Sequence, residues 1–366
     1  MTTISERPSV GIIGLGYGRA HISAFQANGC RVTALCQRDQ TGAKGIADRY
    51  GVPHVFARWE EMLDRARPEI VVIATPPHLH HAIALQAFAA GAHVLCEKPL
   101  AMSRAEAQSM VEAAARAGRV GMTGFNWRFP AAMQQMHAAL ADGGGVGRVF
   151  HLAARWYGSR LADETVAPTW RMDRAQAGHG AMGDSGVHVI DLIRWNFGEF
   201  TRVVVDAGVA YPARSAPGVN RPADAEDHCV VMAELASGAQ ATLMVSRVAH
   251  ATNVQTLEAW GSGGALSYRL ARDGARWFEG ELRASRGSAG FQPVAPSRTP
   301  PSAAGEGDPT DVIGKALIAP LVERMLRAIR TGETVSPSFV DGLRAQMVLD
   351  AVAESLARRA WVAVGA

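Results

Sequence analysis

The sequence has few cysteines and little excess charge. Its four cysteines include no CxxC pair, so no disulfide framework is indicated and a reducing, cytoplasmic location is expected. Lys and Arg number 37 against 34 Asp and Glu, which gives a formal net charge of +3. A nucleic-acid binder needs a dense cationic surface, and we therefore expect no nucleic acid among the partners.

Long apolar runs are also missing. The most apolar stretch, Ala82 to Leu95, is interrupted by Gln86, Gly91 and His93, and it falls short of the roughly 18 residues that span a bilayer. The first ten residues contain no hydrophobic region of a signal peptide. Neither a membrane protein nor a small secreted protein is expected.

The remaining composition is typical of a globular chain with two domains. Apolar residues make up 48% of the 366 residues, and a typical domain has roughly 150 residues. Up to residue 125, short apolar runs such as Ile70–Ala74 alternate with helical segments, and Ser103 followed by Glu106 is typical of a helix start. This alternation predicts an α/β domain with a doubly wound parallel sheet over residues 1–125.

Beyond residue 125 the pattern changes. Five strand candidates between residues 202 and 270 follow one another without helices between them, which predicts an α+β domain over 126–366 with an antiparallel sheet. Residues 284–309, rich in Ser, Gly, Pro and Ala, predict a loop. The glycines 143–145 predict the end of a helix, and the C-terminal helices of residues 311–358 could pack back near the first domain. Helices are predicted over Pro130–Leu140, Asp184–Trp195, Asp311–Arg330 and Val340–Arg358.

A glycine-rich turn joins the first strand to the first helix. Gly14 allows a tight turn, and Gly16 lets backbone N–H groups approach a pyrophosphate at the positive end of the helix. Arg19 stands where the third glycine is usual and Gly18 comes one residue early, which a loop shortened by one residue would explain. The alternative is an ordinary glycine-rich connection. The context favours dinucleotide binding, through Gly14, Leu15, Gly16, Tyr17 and Gly18.

The end of the second strand bears on the choice of cofactor. A carboxylate at this point binds the ribose 2′-OH of NAD and repels the phosphate of NADP. Gln37 stands where the carboxylate is expected, and Arg38 is a candidate partner for a 2′-phosphate. We therefore expect NAD(P) with a preference for NADP. Asp39 could still reach the ribose, or all three side chains could be solvent-facing.

Lys98 is a candidate for stabilising charge on a substrate. It follows a predicted strand of the parallel sheet, where ligands bind outside the carboxyl ends of the strands. Its ammonium group could donate a hydrogen bond to a substrate hydroxyl and stabilise a developing alkoxide. The alternative is a surface lysine at a strand end.

Asp184 and His188 form the second candidate pair. Residues four apart share one face of a helix, and His188 can act as a general base with Asp184 orienting it. Alternatively, Asp184 caps the helix and His188 is a core histidine. A metal held by His179, Asp184 and His188 is a further option, but we expect no metal. Five arginines lie nearby in the sequence: Arg128, Arg155, Arg160, Arg171 and Arg174. One or two of them could bind an anionic group of the substrate, and the others would be structural or solvated.

Taken together, these residues resemble the Gfo/Idh/MocA family, named after glucose–fructose oxidoreductase and inositol dehydrogenase. The resemblance extends over nearly the whole chain, and no single motif carries it. His179 departs from the pattern, because the family commonly has Gly there. The matching segments are His21 after the glycine turn, Ala74–His80, His93–Pro99, Gly124–Phe129, Trp170-Arg171, Asp184 through His188 to Asp191, Ser336–Phe339, Asp341-Gly342 and Gln346.

The resemblance implies a Rossmann domain followed by a domain with an open, mainly antiparallel sheet. It implies Lys98, Asp184 and His188 as the catalytic set. Along the cofactor it implies, besides the glycine turn and residues 37 and 38, the side chains of Thr75, Pro76, His80, Glu97, Lys98, Asn126 and Arg128. Candidate substrate contacts are Arg128, Trp156, Arg171 and His179.

The expected activity is hydride transfer between a nicotinamide cofactor and a hydroxyl or carbonyl group of a sugar, a polyol such as inositol, or a related small molecule. The alternatives are glycoside cleavage through transient oxidation, imine reduction, or a non-catalytic protein that senses NAD(P). A homodimer or homotetramer is expected.

Overall fold

The computed structural model describes residues 4–141, 145–214, 223–272, 277–287, 289–295 and 308–365. Gly143 and Gly144, at the predicted end of a helix, lie outside these residues, as does the 296–307 part of the predicted loop. The chain divides into two compact units. One comprises Met1–Phe129 and Ala303–Arg344, and the other comprises Pro130–Ser302 and Ala345–Ala366.

The first unit contains a six-stranded sheet in the order β3-β2-β1-β4-β5-β6, with every pair parallel. Every residue of β4 and β5 is buried, as expected where helices cover both faces of a sheet. The prediction of a doubly wound parallel sheet is confirmed. The strands are β1 Ser9–Ile13, β2 Arg31–Cys36, β3 His54–Phe56, β4 Ile70–Ile73, β5 His93–Cys96 and β6 Gly121–Thr123.

Local signals account for the ends of several helices of this unit. The side chain of Ser103 accepts a hydrogen bond from the N–H of Glu106 at the start of α5 (Arg104–Ala117), and Gly118 ends that helix in a left-handed conformation. Gly51 ends α2 in the same way. The helices between the strands are α1 Arg19–Ala27, α2 Gln40–Tyr50, α3 Trp59–Arg65, α4 His80–Ala89 and α5 Arg104–Ala117.

The C-terminal part of this unit packs on α1. Ile318, Leu321 and Met325 join the core formed by β1 and α1. A Cβ on Gly314 would lie 2.3 Å from the carbonyl oxygen of Ala20, so only glycine fits there. The single helix predicted over Asp311–Arg330 is interrupted by a wider π-helical turn: the segments are α9 Pro309–Ile313, the turn Gly314–Ile318 and α10 Ala319–Thr331.

The second unit contains a nine-stranded sheet in the order β14-β13-β12-β11-β7-β10-β9-β8-β15. Among the described strands of this second sheet, only β7 and β10 pair in parallel, so the mainly antiparallel sheet is confirmed. The strands are β7 Val149–Tyr157, β8 Phe200–Gly208, β9 His228–Leu235, β10 Gln240–Ser246, β11 Val254–Gly261, β12 Gly264–Ala271, β13 Glu281–Arg286, β14 Gln292–Pro293 and β15 Val362–Ala363.

Part of the loop predicted over 284–309 is strand. The end of β13 pairs with β12, and β14 pairs with β13 at the edge of the sheet. Backbone pairing with an existing strand can hold residues whose own composition favours a loop.

Helices cover one face of this sheet. α6 (Ala131–Ala141) packs on β12, β13 and α8 (Val187–Phe197), and α8 packs on β7. Side chains of β9 and β10 alternate between buried and exposed positions, as on a sheet covered on one face. The helices of this part are α6 Ala131–Ala141, α7 Arg174–Ala177, α8 Val187–Phe197 and α11 Phe339–Arg358, of which α11 begins in the first unit. No helix in the described residues is long and apolar enough to cross a membrane.

Candidate active site

The glycine turn after β1 has an open surface beside its middle glycine. Gly14 has a φ of +88°, and a Cβ there would lie 2.6 Å from the carbonyl oxygen of Ala74. A Cβ on Gly18 would lie 2.0 Å from the carbonyl oxygen of Gly14, and α1 begins at the next residue. A Cβ on Gly16 would meet nothing within 4 Å. Gly18 therefore has the packing role of the third glycine, and the position beside Gly16, just before the helix, is open.

The side chains after β2 contact the backbone around them. Oε1 of Gln37 accepts a hydrogen bond from the N–H of Leu15 at 2.9 Å, which stabilises the glycine turn. The carboxylate of Asp39 caps α2 by accepting a hydrogen bond from the N–H of Gly42 at 3.1 Å. Arg38 lies between them in sequence and is exposed. The one carboxylate in this segment therefore already has a structural role.

Two polar segments follow the neighbouring strands β4 and β5. Because parallel strands end at one edge of a sheet, Thr75 and Pro76 lie at the same edge as Glu97 and Lys98. Oγ1 of Thr75 is buried and has no hydrogen-bond partner among the described residues. Lys98 is half-buried, and its peptide bond to Pro99 is cis.

A buried histidine of α1 holds Glu97. Nε2 of His21 lies 2.8 Å from Oε1 of Glu97. The N–H of Lys98 donates to the other carboxylate oxygen at 3.4 Å, and a Cβ on Gly124 would lie 2.8 Å from Oε1. The sequence pattern contained His21, but nothing in it indicated that Glu97 is its partner.

His80, which was expected along the cofactor, has both ring nitrogens beside backbone carbonyl groups. Nδ1 lies 2.9 Å from the oxygen of Pro99, and Nε2 lies 2.9 Å from the oxygen of Thr75. The ring is fully buried. His80 therefore links the segments that follow β4 and β5.

Asn126 and Arg128 lie in a 3₁₀ turn after β6 and have different surroundings. Nδ2 of Asn126 donates to the hydroxyl of Tyr17 at 3.2 Å, while its buried Oδ1 has no partner within the described residues. Arg128 is 1% exposed; its guanidinium donates to Ser336 at 2.7 Å and to Asp341 at 3.1 Å. The open acceptor of Asn126 suits a ligand, whereas Arg128 fastens the C-terminal segment within this unit.

His188 lies at the start of α8 in the second unit. Its ring is stacked on that of Trp156 from β7, with 5.5 Å between the centroids and 19° between the planes. The side chain is buried, at 3% exposure. Trp156 therefore restricts the orientation of the imidazole plane.

Asp184 lies in a π-helical turn, Met182–Gly186, that precedes α8. The predicted single helix over Asp184–Trp195 is thus two elements, and π turns are frequent at functional sites. The carboxylate accepts a hydrogen bond from the guanidinium of Arg160, and Nε of Arg171 lies 3.8 Å from it. These two arginines give Asp184 a cationic environment.

His179 is buried in the segment before this turn. Burial lowers its pKa, while the carboxylates of Glu226 and Asp350 act in the opposite direction. Glu226 accepts a hydrogen bond from the N–H of Gly180 at 2.7 Å, and a Cβ on Gly180 would lie 1.9 Å from its carbonyl oxygen. Glu226, which the sequence did not single out, thus fixes the backbone next to His179.

The structure brings the sequence candidates together in two groups, one in each unit. The glycine turn, residues 37 and 38, Thr75, Pro76, His80, Glu97, Lys98, Asn126 and Arg128 belong to the first unit, and Trp156, Arg171, His179, Asp184 and His188 belong to the second. No group of three or more His, Cys, Asp or Glu side chains in the described residues could hold a metal ion.

The chain matches two family models in succession. Residues 9–125 match the oxidoreductase family with an NAD-binding Rossmann fold, and residues 133–267 match the GFO/IDH/MocA C-terminal domain. Levoglucosan dehydrogenase from Pseudarthrobacter phenanthrenivorans is 30% identical to this chain, over 97% of this chain and 98% of that protein. D-glucoside 3-dehydrogenase from Escherichia coli is 29% identical over 52% of this chain and 54% of that protein.

Solved structures give the same result. The complex of levoglucosan dehydrogenase with NADH and levoglucosan has a TM-score of 0.87 and 30% identity, and the match covers 99% of this chain and 100% of that one. An oxidoreductase domain protein from Kribbella flavida has a TM-score of 0.88 and 30% identity, with the same coverage. These matches confirm the resemblance found in the sequence, and the chain belongs to the Gfo/Idh/MocA family of NAD-binding oxidoreductases.

Proposed function

We propose that this protein is an NAD(P)-dependent dehydrogenase that acts on a hydroxyl group of a sugar or polyol. The observation that carries the proposal is the position of His188, a buried imidazole stacked on Trp156 at the start of α8. The names of the relatives support the substrate class: levoglucosan dehydrogenase and D-glucoside 3-dehydrogenase act on sugars. Residues 1–125 would bind the cofactor, and residues 126–366 would bind the substrate.

The residues of the first unit fit a dinucleotide. The space beside Gly16 would receive the pyrophosphate. The unpartnered hydroxyl of Thr75 would donate a hydrogen bond to the bound molecule or accept one from it, and Oδ1 of Asn126 would accept one. Glu97 and Lys98 follow the strand next to β4 and would line the same crevice. When bound, the nicotinamide supplies the hydride chemistry.

Three side chains of this chain would carry out the proton chemistry. His188 takes the proton of the substrate hydroxyl, and its plane is held by Trp156. Lys98 donates a hydrogen bond to the oxygen that becomes alkoxide-like. A carboxylate can accept about four hydrogen bonds, so Asp184 can receive a second substrate hydroxyl while paired with Arg160 and Arg171. Arg171 and His179, which both precede that carboxylate in sequence, would contact the substrate.

The variant His188→Ala tests this assignment. We expect a loss of at least about 10²-fold in kcat on levoglucosan or methyl β-D-glucoside, the usual scale for a general base, with cofactor affinity unchanged. His250→Ala replaces an exposed histidine of the same unit and should retain wild-type turnover. Near-normal turnover of His188→Ala would contradict the assignment, and a cleaved glycoside without net cofactor reduction would favour redox-assisted cleavage.

For the cofactor we propose a preference for NADP over NAD. Asp39 caps α2, Gln37 holds the glycine turn, and Arg38 is the exposed cation between them. Arg38→Ala should weaken NADPH binding about tenfold in a fluorescence titration and leave NADH binding unchanged. Arg58→Ala removes an exposed arginine of the same unit as the control. Tighter binding of NADH than of NADPH by the wild type would overturn this preference.

We further propose a cytoplasmic homodimer or homotetramer that associates through the open face of the second sheet. The association is supported by Val230, Met232 and Met244, which are exposed apolar side chains of β9 and β10. The cytoplasmic location is supported by the four cysteines, which are all buried and free. Light scattering should give two or four copies for the wild type, and Met232→Glu should reduce that number. A monomeric wild type would contradict the proposal.

A further inference from the structure

His80 connects the two turns that are proposed to contact the cofactor. It is the first residue of α4 and is completely buried. Its ring nitrogens lie 2.9 Å from two backbone oxygens, those of Thr75 and Pro99. These residues are 24 positions apart in sequence, and His80 lies between them in the chain.

Both turns lie at the edge of the sheet where a dinucleotide would bind. Thr75 follows β4 and Pro99 follows Lys98 after β5, and these two strands pair in parallel. The glycine turn packs against the turn that contains Thr75, because a Cβ on Gly14 would lie 2.9 Å from the backbone nitrogen of Thr75. A displacement of either turn would therefore change the surface offered to the cofactor.

These two contacts occupy both nitrogens of the imidazole ring. A neutral ring donates one hydrogen bond, and only the protonated ring donates to both carbonyl oxygens. Burial lowers the pKa of His80, whereas the carbonyl groups and the carboxylate of Glu97 raise it. In either form neither ring nitrogen remains to contact a ligand, so an effect of His80 on the cofactor must act through Thr75 and Lys98.

We propose that His80 is a positioning residue that holds the Thr75–Pro76 turn and the Lys98–Pro99 turn in register for the cofactor. The inference rests on the proposed function, since it assumes that both turns contact the bound dinucleotide. It assigns to His80 a role different from that of a side chain lying along the cofactor.

Two half-replacements can separate the two contacts. The amide nitrogen of Asn reaches about as far as Nδ1 of His, and that of Gln about as far as Nε2. His80→Asn therefore retains a donor for the oxygen of Pro99, and His80→Gln retains one for the oxygen of Thr75. His80→Leu removes the polar contacts of the ring with both oxygens. The matched control is His81→Asn, because His81 is the next residue of α4 and its ring contacts Ser109 instead.

The readouts are the Kd for NADPH and NADH, from fluorescence titration of the ligand-free protein, and kcat on levoglucosan. We expect His80→Asn to raise Kd about tenfold with kcat largely retained, because the turn after β4 loses its contact between the side chain of residue 80 and the oxygen of Thr75. We expect His80→Gln to lower kcat about tenfold, because Lys98 is displaced from the substrate oxygen, and to raise Kd less than His80→Asn does. His81→Asn should change neither value by more than about twofold.

Equal changes in both values for the two half-replacements, or wild-type values for both, would overturn the positioning role. If His80→Leu does not fold, the two half-replacements still decide the question. A wild type that binds cofactor but oxidises neither levoglucosan nor methyl β-D-glucoside would contradict the proposed sugar activity. In that case the Kd values alone decide the role of His80: it holds if His80→Asn weakens binding more than His80→Gln does, and it fails otherwise.

Discussion

Acid should weaken the fold of this protein through His93. This residue begins β5 and is 7% exposed, and its Nδ1 accepts a hydrogen bond from the backbone N–H of Val120 at 3.0 Å. Burial lowers the pKa of His93 from 6.5 to about 4; the nearby Arg119 also lowers it, and Glu69 opposes them. Protonation removes the acceptor and leaves a buried charge between β5 and the residue that precedes β6.

The sign and size of the effect follow from the two pKa values. The folded-state pKa lies below the unfolded value, so the unfolded chain takes up the proton first as the pH falls. The contribution of neutral His93 to the unfolding free energy is therefore fully present above pH 6.5 and is lost as the pH falls towards 4. At 1.36 kcal/mol per pKa unit, His93 should cost about 2 kcal/mol of unfolding free energy by pH 5. By pH 4 the cost should be about 3 kcal/mol.

The measurement is urea unfolding, followed by circular dichroism, between pH 4 and pH 7.5. His80 and His179 also have lowered pKa values, so the informative quantity is the difference between the wild type and His93→Asn. Asn places an acceptor near the position of Nδ1 and does not titrate. His54→Asn, which changes an exposed histidine of β3, is the control and should follow the wild type. A wild-type curve that stays parallel to the His93→Asn curve down to pH 4 would refute the reasoning.

Three further predictions concern stability and can be measured by denaturant unfolding. Both amide atoms of Gln255 are buried without a hydrogen-bond partner in the part of the chain that the structure describes, so Gln255→Leu should raise the unfolding free energy by about 1 kcal/mol; a loss would show that the amide is bonded. Ser103→Ala removes the cap of α5 and should cost about 1 kcal/mol, whereas Ser103→Thr should cost little. Arg247→Met leaves the buried carboxylate of Asp227 without its ion pair and should cost about 3–5 kcal/mol. A cost below about 1 kcal/mol would show that the carboxylate is solvated or repaired by other groups.

The sequence predicts the elements of the first unit whose signals are local. The apolar run at Ile70–Ile73 and the cap at Ser103 each specify their own element, and the structure has both where they were expected. The short strand His54–Phe56 and the helix Trp59–Arg65 were not predicted. β3 is a three-residue edge strand, and Arg58, the residue before α3, provides no side-chain cap. Such elements depend on their neighbours, and no local pattern marks them.

Side-chain roles were predicted less completely than side-chain identities. His80 and Arg128 were identified from their motifs. In the structure His80 contacts backbone carbonyl groups, and Arg128 contacts side chains more than 200 residues away in sequence. The helical spacing of Asp184 and His188 did not indicate the π turn that contains Asp184. Gln255 had a visible signal, because it is a polar residue at a buried position of an alternating strand. The contacts of such residues are set by the tertiary fold, which sequence spacing does not encode.

The displaced third glycine shows what a motif can and cannot specify. Compared with the usual spacing, Arg19 is the anomaly and the turn looks incomplete. In the structure the requirement is for space. The start of α1 packs against the carbonyl oxygen of Gly14, and Gly18 is the residue at this contact that has no room for a Cβ. Arg19 is already inside the helix and exposed, so its side chain disturbs nothing. The physical condition for close approach between strand and helix is therefore met, although the letters of the motif are shifted by one.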